Sequence, residues 1–310
     1  MAAVLCIGAA HIDRKAHSAG PVVLGSSNPV SVRTGTGGVA RNVAETLARL
    51  GLDVALLSRT GADADGAEVR DGLAAAGVDC GLTTVSGTRP TATYTALIDP
   101  KGELAVALAD MAVYEELTPD LLAGLLPRMA GFDAWFVDCN LPAESLGFLF
   151  RMRPAGVRLF VDPVSVAKAA RLDGLLPGID VLFANRDEAS RLARVEIRAP
   201  LDLCVAAARL LGFGVADTVI TRGADGVFVA GGGEWDFLPA LPARVREVTG
   251  AGDALVAGTI YGRALGLPTA EAVQVGLACA ALAVETPDTV YAGLSAEALV
   301  ERSGLAGARA

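Results

Sequence analysis

Lysine and histidine are scarce in this sequence, and their scarcity excludes several classes of function. Its 310 residues include three lysines and two histidines, and the formal net charge is -9. Such a chain lacks the clustered basic residues that bind DNA or RNA backbones, so we expect no nucleic-acid partner. Two histidines are too few for a His-rich zinc site. The sequence also lacks a G-x-x-x-x-G-K-[ST] stretch, which excludes a P-loop nucleotide site.

Long apolar runs are absent as well. The most apolar late stretch, residues 272–284, contains Gln274 and is shorter than the roughly 20 residues that a membrane span needs. The apolar start, residues 3–7, has no basic region before it and no cleavage site, so it does not read as a signal peptide. The five cysteines are odd in number and scattered, as expected of reduced thiols. We therefore expect a cytoplasmic protein without a membrane partner.

Strand-like and helix-like patterns alternate along most of the chain. Short apolar runs predict strands at 4–8, 54–57, 135–137, 159–161, 181–183 and 218–221. Apolar residues at helical spacing predict helices at 38–50, 67–76, 118–130, 142–152, 186–193, 201–212, 251–265, 269–285 and 295–302. Such alternation predicts a layered α/β fold with a mainly parallel sheet, and no repeat or linker divides residues 1–310.

One region breaks this alternation. Residues 93–98 and 103–108 are β-patterned runs joined by an Asp-Pro-Lys-Gly turn at 99–102, and residues 20–33 are also β-like. We predict that they form a small second sheet, a lid over the edge of the main sheet where its strands end, because a site there must be covered from water. An ordinary surface hairpin is the alternative. The predicted lid segments run approximately over 12–34 and 88–112.

The strongest chemical signal is the Thr-Gly-Ala-Gly-Asp sequence at 249–253, where an apolar helix begins. The small residues Gly250, Ala251 and Gly252 let backbone N–H groups approach a ligand, and the positive end of the helix points to the same place. Together they form a candidate anion hole. Asp253 beside that hole is explained if it takes a proton from an attacking hydroxyl during phosphoryl transfer. The alternative is a helix cap whose glycines allow close packing.

A second glycine-rich stretch covers residues 35–42. Its adjacent glycines open a helix that carries Asn42, and they can present N–H groups and an amide to a polyol. Gly35, Gly37 and Ala40 also fit the G-x-G-x-x-A dinucleotide fingerprint, which would indicate an NAD(P)-dependent dehydrogenase. That fingerprint should directly follow the first strand, whereas here the first strand ends near Gly8.

Polar residues follow two later strands. Asn185 and Glu188 lie one helical turn apart and could hold a hydrated Mg²⁺ near phosphates, or could form a capping box. Thr221, Gly223 and Gly226 could wrap nucleotide phosphates, or could form a tight turn into the next strand.

In their order along the chain, these motifs resemble the PfkB, or ribokinase-like, family of carbohydrate and nucleoside kinases. The resemblance implies a Rossmann-like three-layer core with a β-sheet lid, as one kinase domain that uses ATP and Mg²⁺. It implies that Asp253 is the general base and that 250–253 is the anion hole. The substrate hydroxyls would be bound by Asp13, Gly38 and Asn42. The nucleotide and its Mg²⁺ would contact Asn185, Glu188 (through water), Thr221, Gly223 and Gly226.

Within the family, the sequence most resembles the pseudouridine kinases. The stretches that carry this resemblance are 26–29, 93–95, 108–111, 138–140 and 161–165 with Lys168. By analogy Asn28, Thr93 and Asn140 would contact the nucleoside, whose 5′-hydroxyl would be phosphorylated. The alternatives are that these are turn and cap residues, and that the substrate is another nucleoside, ribose or a hexose.

Two positions depart from the family pattern. His11 stands where an Asn is usual, and Glu247 stands where many members carry an Asp linked to monovalent-cation binding, so Glu247 is a candidate ligand for K⁺. A homodimer formed through the lid is a further expectation. A sugar sensor without catalysis is also conceivable, but binding alone gains nothing from the carboxylate of Asp253 in an anion hole.

Overall fold

A computed structural model describes residues 2–303 of the chain; Met1 and residues 304–310 lie outside the described part. The strands, in chain order, are β1 (Ala3–Ile7), β2 (His11–Ser18), β3 (Val30–Gly37), β4 (Asp53–Leu57), β5 (Arg59–Gly61), β6 (Thr84–Ser86), β7 (Thr93–Ile98), β8 (Leu104–Asp110), β9 (Ala134–Asp138), β10 (Arg158–Asp162), β11 (Val181–Asn185), β12 (Asp217–Thr221), β13 (Val227–Gly231) and β14 (Glu234–Leu238). The helices are α1 (Val39–Arg49), α2 (Ala64–Ala75), α3 (Pro119–Met129), α4 (Ala143–Met152), α5 (Val166–Ala169), α6 (Arg186–Ala193), α7 (Pro200–Gly212), α8 (Ala251–Ala264), α9 (Thr269–Ala283) and α10 (Ala296–Ser303).

The main sheet has eight strands in the order β14-β13-β12-β11-β10-β9-β1-β4. Six of these strands, β12, β11, β10, β9, β1 and β4, run parallel. The strands β13 and β14 add an antiparallel hairpin at one edge. Side chains of β1 alternate between the two faces, as strand geometry requires. Leu5 and Ile7 join the core under α3, α4, α6 and α7, while Val4 and Cys6 join the core under α1, α2, α8, α9 and α10. The fold is the predicted three-layer α/β core.

The predicted second sheet is also present. Its order is β3-β2-β7-β8, with β2 and β7 parallel and the two outer pairs antiparallel. In the turn between β7 and β8 the carboxylate of Asp99 accepts hydrogen bonds from the N–H groups of Lys101 and Glu103, which explains why the Asp-Pro-Lys-Gly sequence makes a hairpin. The odd-numbered residues of β2 share one face of this lid, and Ile12 and Ala16 are buried on the other face.

The first lid segment differs from the prediction. Of residues 20–33, which were expected to be β-like, residues 30–33 lie in β3 and the others belong to a loop at 19–29; a further strand, β2, precedes that loop. Pro21 and Pro29 explain the loop, because proline cannot donate a hydrogen bond to a β ladder. The N–H of Ala19 donates to the carbonyl of Pro29 at 3.3 Å and closes it.

The structure also contains elements that the sequence patterns did not predict: β5, β6, β13, β14 and α5. Apart from β2 and β3 of the lid, the remaining helices and strands lie within three residues of their predicted ends. No helix among residues 2–303 is long and apolar enough to cross a membrane. All five cysteines are free thiols.

Candidate active site

Four neighbouring strands of the main sheet end on polar side chains. Asp138 ends β9, Asp162 ends β10, Asn185 ends β11 and Thr221 ends β12. Because these strands are parallel, the four side chains lie along one edge of the sheet, where ligands bind in α/β folds. The N-termini of α1 and α8 meet the same edge, so the two glycine-rich stretches of the sequence come together there.

Asp253 lies in the first turn of α8 and is held by Asn42 of α1. The Asn42 Nδ2 donates to Asp253 Oδ2 at 2.7 Å, and Asn42 Oδ1 accepts from Arg41 Nη1 at 2.9 Å. Arg41 is itself buried and forms an ion pair with Glu45 one turn further along α1. The contact with Arg41 therefore fixes the orientation of the Asn42 amide. The hydrogen bond from that amide holds Asp253 Oδ2 in place, which leaves Asp253 Oδ1 available to a ligand.

The surroundings of Asp253 suit a base that works near neutral pH. Burial raises the pKa of Asp253 to about 6, with the charges of Asp138 and Asp13 acting in the same direction. The hydrogen bond from Asn42 and the nearby His11 act the other way. A carboxylate with this pKa is ionised at neutral pH and still binds a proton readily, which is what proton abstraction from a hydroxyl requires.

The start of α8 has the form of an anion hole. Gly250 precedes the helix with φ of 85°, and a Cβ atom there would lie 2.3 Å from the carbonyl oxygen of Thr289. A Cβ at Gly252, in contrast, would meet nothing within 4 Å. The N–H of Ala251 donates to the carbonyl of Val248 at 3.2 Å. The N–H groups that follow it in the first helical turn have no intrahelical acceptor, so the open space beside Gly252 is where they can meet a phosphate oxygen.

Asp138 is the buried centre of the substrate side of the site. Its Oδ2 accepts from the N–H groups of Ala9 and Ala40 at 2.9 and 3.0 Å. Its Oδ1 accepts from the N–H and the side-chain amide of Asn140, each at 2.9 Å. The carboxylate thus joins the end of β1, the start of α1 and the segment after β9. No sequence motif predicted that Asp138 makes these contacts.

Asn140 is oriented from its other side by Lys168. The Lys168 Nζ donates to Asn140 Oδ1 while the Asn140 amide donates to Asp138. Burial lowers the pKa of Lys168, and the neighbouring Asp138 opposes that shift. The predicted nucleoside contact at Asn140 therefore belongs to a fixed amide with one N–H and one oxygen lone pair to spare.

Asp13 and Gly38 lie beside this group. Asp13 Oδ1 is 3.1 Å from His11 Nε2 on the same face of β2. Gly38 adopts φ of 107°, and a Cβ there would lie 2.3 Å from the carbonyl oxygen of Ala9, so only glycine permits the chain to turn from β3 into α1. The hydroxyl of Tyr114, fully buried, accepts from the N–H of Ala10 and donates to its carbonyl. Tyr114 therefore fixes the segment between β1 and β2, which precedes Asp13.

A small cavity of about 160 Å³ links Asp253 to the ends of β10, β11 and β12. Asp162 and Glu188 line it, and burial raises the pKa of each carboxyl group. Asn185 and Glu188 form the capping box, with Asn185 Oδ1 accepting from the N–H of Glu188 and Glu188 Oε2 accepting from the N–H of Asn185. Glu188 Oε1 is not used in these contacts. Asp162 Oδ1 accepts from the N–H of Val164 at 2.6 Å, which leaves Asp162 Oδ2.

These two free carboxylate oxygens fit a hydrated Mg²⁺. This metal usually keeps several waters and takes one or two carboxylates plus substrate phosphates. Within residues 2–303 there is no cluster of three or more His, Cys, Asp or Glu side chains that could hold a metal by itself, so the phosphates would have to complete the coordination. The resemblance predicted Glu188 for this role, and the structure adds Asp162.

A larger cavity of about 680 Å³ opens next to the small one. It is lined by Asn185 and Thr221, by the turn at Gly223, and by residues 197–200 before α7. Gly226 lies at the end of that turn, where a Cβ would be 2.1 Å from the carbonyl oxygen of Leu238. Of the predicted nucleotide residues, Asn185, Thr221 and Gly223 therefore line one cavity, and Asn185 and Thr221 also line the small cavity that contains Asp253.

Three predicted residues are not part of this arrangement of contacts. Asn28 uses its amide within its own loop, where it accepts from the N–H of Val23 and donates to the carbonyls of Val23 and Ser26. Thr93 pairs with Ile12 at the start of β7. Glu247 is bonded to Lys15 of the lid.

Comparison with known proteins agrees with this geometry. The model of the pfkB family, described as carbohydrate kinase, matches residues 1–296. The pseudouridine kinase of Escherichia coli (strain K12) is 32% identical over 293 residues, 94% of this chain and 93% of that protein. Among solved structures, a carbohydrate kinase from Agrobacterium tumefaciens is 34% identical and has a TM-score of 0.85, with 98% of each chain covered.

A ribokinase of Arabidopsis thaliana, solved as a complex with ribose and ATP, also has a TM-score of 0.85. It covers 99% of this chain and 100% of its own, at 20% identity. At that identity the likeness describes the fold alone.

Proposed function

Since the chain belongs to the pfkB family of carbohydrate kinases and so is a phosphotransferase with an alcohol acceptor, we propose that it transfers the γ-phosphate of ATP to the 5′-hydroxyl of pseudouridine. The observation that carries the proposed chemistry is Asp253. It is a carboxylate with a pKa of about 6, fixed by Asn42 beside the open N-terminus of α8.

In the proposed reaction Asp253 Oδ1 takes the proton of the acceptor hydroxyl as the hydroxyl oxygen bonds to the γ-phosphorus. The bond from that phosphorus to the bridging oxygen breaks, and ADP leaves with the bonding electrons. The N–H groups at the start of α8 stabilise the negative charge on the transferred group. Asp13, Gly38, Asn42 and Asn140 orient the acceptor so that its hydroxyl meets Asp253.

The nucleotide is proposed to occupy the 680 Å³ cavity lined by Asn185, Thr221 and Gly223, with Gly226 shaping the turn that follows Gly223. Asp162 and Glu188 would hold Mg²⁺ through their free oxygens and intervening water. When bound, Mg²⁺ supplies positive charge that offsets the phosphate oxygens and the two carboxylates.

Pseudouridine is proposed because the 32% identity to a pseudouridine kinase extends over 94% of the chain. Thr93 and Asn140, with Asn28 if its loop moves, are the proposed contacts to the base. Pseudouridine has a ring N–H that uridine lacks, and a site that accepts from it leaves that acceptor unpaired when uridine binds. An unpaired buried polar group costs about 1–3 kcal/mol, which corresponds to a preference of roughly tenfold to a hundredfold.

The test is a panel of acceptors with ATP and Mg²⁺, namely pseudouridine, uridine, other nucleosides, ribose and hexoses. Pseudouridine should be phosphorylated on its 5′-hydroxyl at least about tenfold more efficiently than uridine. Asn140→Ala and Thr93→Ala should narrow this ratio. Equal efficiency on the two nucleosides, or activity on free sugars alone, would reject the substrate and leave the kinase chemistry in place.

The dehydrogenase alternative loses its support. Gly35 and Gly37 lie in β3, a strand of the lid, whereas the dinucleotide fingerprint must follow a strand of the main sheet. A sensor without catalysis is not favoured either, because the contacts around Asp253 are those of a base.

We also propose that two copies associate through their lids. Leu104 and Leu108 lie together on β8, an edge strand of the lid, and are 58% and 64% exposed, while Val32 on the opposite edge strand, β3, is 55% exposed. Exposed apolar groups that lie together usually mark an interface.

A cytoplasmic location is proposed as well, since the free cysteines suit a reducing compartment.

A further inference from the structure

Lys15 connects the lid to the anion hole. It lies on the same face of β2 as Asp13, and its Nζ donates to Glu247 Oε2 at 2.8 Å and to Thr249 Oγ1 at 3.3 Å. Glu247 and Thr249 belong to the segment just before Gly250. Lys15 is one of three lysines in the chain, and it is separated from Glu247 by 232 positions in the sequence.

Glu247 passes this contact on to the backbone of the loop. Its Oε1 accepts from the N–H groups of Val248 and Thr249 at 3.0 and 3.1 Å, and from Thr249 Oγ1 at 2.8 Å. Although burial acts to raise it, hydrogen bonds from Lys15 and Thr249 and the charge of Lys15 lower the pKa of Glu247 to about 2. The carboxylate is thus ionised and both its oxygens are engaged.

A monovalent metal cation does not fit at Glu247. Its Oε2 is bonded to the ammonium group of Lys15 and its Oε1 accepts from Val248 and Thr249, so a metal ion beside this carboxylate would meet a positive charge that repels it. The expectation of a K⁺ site at Glu247 therefore disagrees with the residues present. The carboxylate is paired with a cation that belongs to the chain itself.

We propose that the ammonium group of Lys15 takes the place of a bound metal cation beside residues 248–250, the anion-hole loop. Through Glu247 and Thr249, Lys15 positions this loop. It thereby makes the reaction independent of added K⁺. The proposal rests on the kinase function proposed above. Lys15 is a positioning residue, since it acts through Glu247 and does not touch the reacting atoms. Because Asp13 is two residues away on the same strand, the contact also ties the substrate side of the lid to the loop that receives the phosphate.

The chain provides a matched control on the same strand. Arg14 points to the opposite face of β2, and its Nη2 bonds to Asp65 Oδ2 of α2 at 2.7 Å. Arg14→Ala also removes an ion pair between the lid and the core, but it leaves the anion-hole loop untouched. A general loosening of the lid should therefore appear in both variants, and an effect on the loop should appear in the Lys15 variants alone.

The test compares wild type, Lys15→Ala, Lys15→Met, Lys15→Arg and Arg14→Ala in KCl, NH₄Cl and choline chloride at equal ionic strength, which keeps screening constant. The position is accessible to added ions, because Lys15 and Glu247 line a cavity of about 630 Å³. Lys15→Ala leaves room for a small cation beside Glu247, Lys15→Met fills it with an apolar chain, and Lys15→Arg keeps the charge.

Wild-type kcat should differ by less than about twofold among the three salts. Lys15→Ala and Lys15→Met should lose roughly tenfold or more in kcat in choline chloride, with little change in the acceptor KM, because a misplaced loop weakens transition-state contacts. K⁺ or NH₄⁺ should restore Lys15→Ala but not Lys15→Met. Lys15→Arg and Arg14→Ala should keep most of the wild-type kcat.

Thermal unfolding gives a readout that does not depend on the substrate. The Tm of Lys15→Ala should rise in K⁺ or NH₄⁺ relative to choline, because a bound ion stabilises the folded state, while wild type and Lys15→Met should not respond. Activation of wild type by K⁺, normal kcat in Lys15→Met, or no Tm response of Lys15→Ala would overturn the proposal. A wild type without kinase activity on any acceptor would reject the proposed function instead, and the Tm comparison would still decide the role of Lys15.

Discussion

At the scale of single residues, the proposed chemistry depends on how Asp253 is held. Its partner Asn42 is oriented by Arg41, and Arg41 by Glu45, so a chain of contacts along α1 determines where one carboxylate oxygen points. Charge and geometry can be separated at this position, because Asn has nearly the shape of Asp but cannot accept a proton.

Asp253→Asn is therefore expected to lower kcat by at least about 10²-fold, with the affinity for ATP little changed. Steady-state kinetics and ATP binding measured on the same preparation check this. The unfolding temperature at pH 8 should stay equal or rise, since the raised pKa of Asp253 means that its ionised form costs stability in the folded state. Near-normal turnover by the folded variant would contradict the role of Asp253 as base.

The pH dependence of the rate follows from the same residue. A carboxyl group whose pKa is raised to about 6 is protonated, and inactive as a base, below that value. The kcat/KM should consequently fall about tenfold per pH unit on the acid side of 6 and level off above it. The charge of His11 acts to lower the pKa of Asp253, so the acid limb should move to higher pH in His11→Asn. A wild-type profile that does not fall on the acid side would contradict the role of Asp253 as base.

At the scale of elements, the N-terminus of α8 contains two glycines with different tasks. Gly250 is required by the fold, since it has positive φ and contacts the carbonyl of Thr289. Gly252 is helical and faces open space. Gly250→Ala should lower the free energy of unfolding by roughly 1–3 kcal/mol. Gly252→Ala should leave stability unchanged or raise it by up to about 1 kcal/mol, yet weaken phosphoryl transfer because the methyl group occupies the phosphate position.

The free energy of unfolding in denaturant and the kcat of Gly250→Ala and Gly252→Ala test whether the two glycines have these different tasks. A Gly252→Ala enzyme with full kcat and unchanged ATP affinity would show that the phosphate does not approach the start of α8.

The elements that could be predicted from sequence are those with local signals. Apolar periodicity identified the parallel strands and most helices, and the Asp-Pro-Lys-Gly turn identified the lid hairpin. The β13–β14 hairpin was missed although Gly232 and Gly233 between its strands are a local hairpin signal. The strand at His11–Ser18 was missed because its polar side chains face the site and give no apolar pattern.

In the site, Asp253, Asn42 and the capping box at Asn185 were found because each lies in a motif at a helix start. Asp138, Tyr114 and Lys15 were not assigned their roles, since their partners lie 98 to 232 residues away in sequence. No local pattern reports such contacts.

At the scale of the whole molecule, carboxylates are concentrated at the opening between the two cavities. Asp162, Glu188 and Asp253 line the same small cavity, and burial raises the pKa of each carboxyl group.

Mg·ATP should raise the Tm of the protein, because binding to the folded state stabilises it. ATP in the presence of a chelator should have a smaller effect, and NAD(P) none. A Tm increase with NAD(P) alone would contradict the nucleotide assignment.

The lid is also the proposed contact between two copies. Sedimentation or light scattering should give twice the mass of the chain, and Leu104→Lys with Leu108→Lys should give the monomer, since charge on an apolar contact disfavours burial. The matched change Val85→Lys, at an apolar side chain with 46% exposure outside the lid, should leave the mass unchanged. A wild-type monomer at assay concentrations would reject the dimer.

The hydrogen bonds of Asp138 have a consequence for how the protein folds. Ala9, Ala40 and Asp138 come from three distant parts of the chain, and the carboxylate is fully buried only when all three have met. Contacts of such long sequence separation form slowly, because the entropy of closing the intervening loops must be lost first. A chain still emerging from the ribosome has β1 and the start of α1 long before it has Asp138. The proposed substrate side of the site therefore cannot become ordered before residue 138 has been made, and a molecule that binds there cannot assist folding before that point.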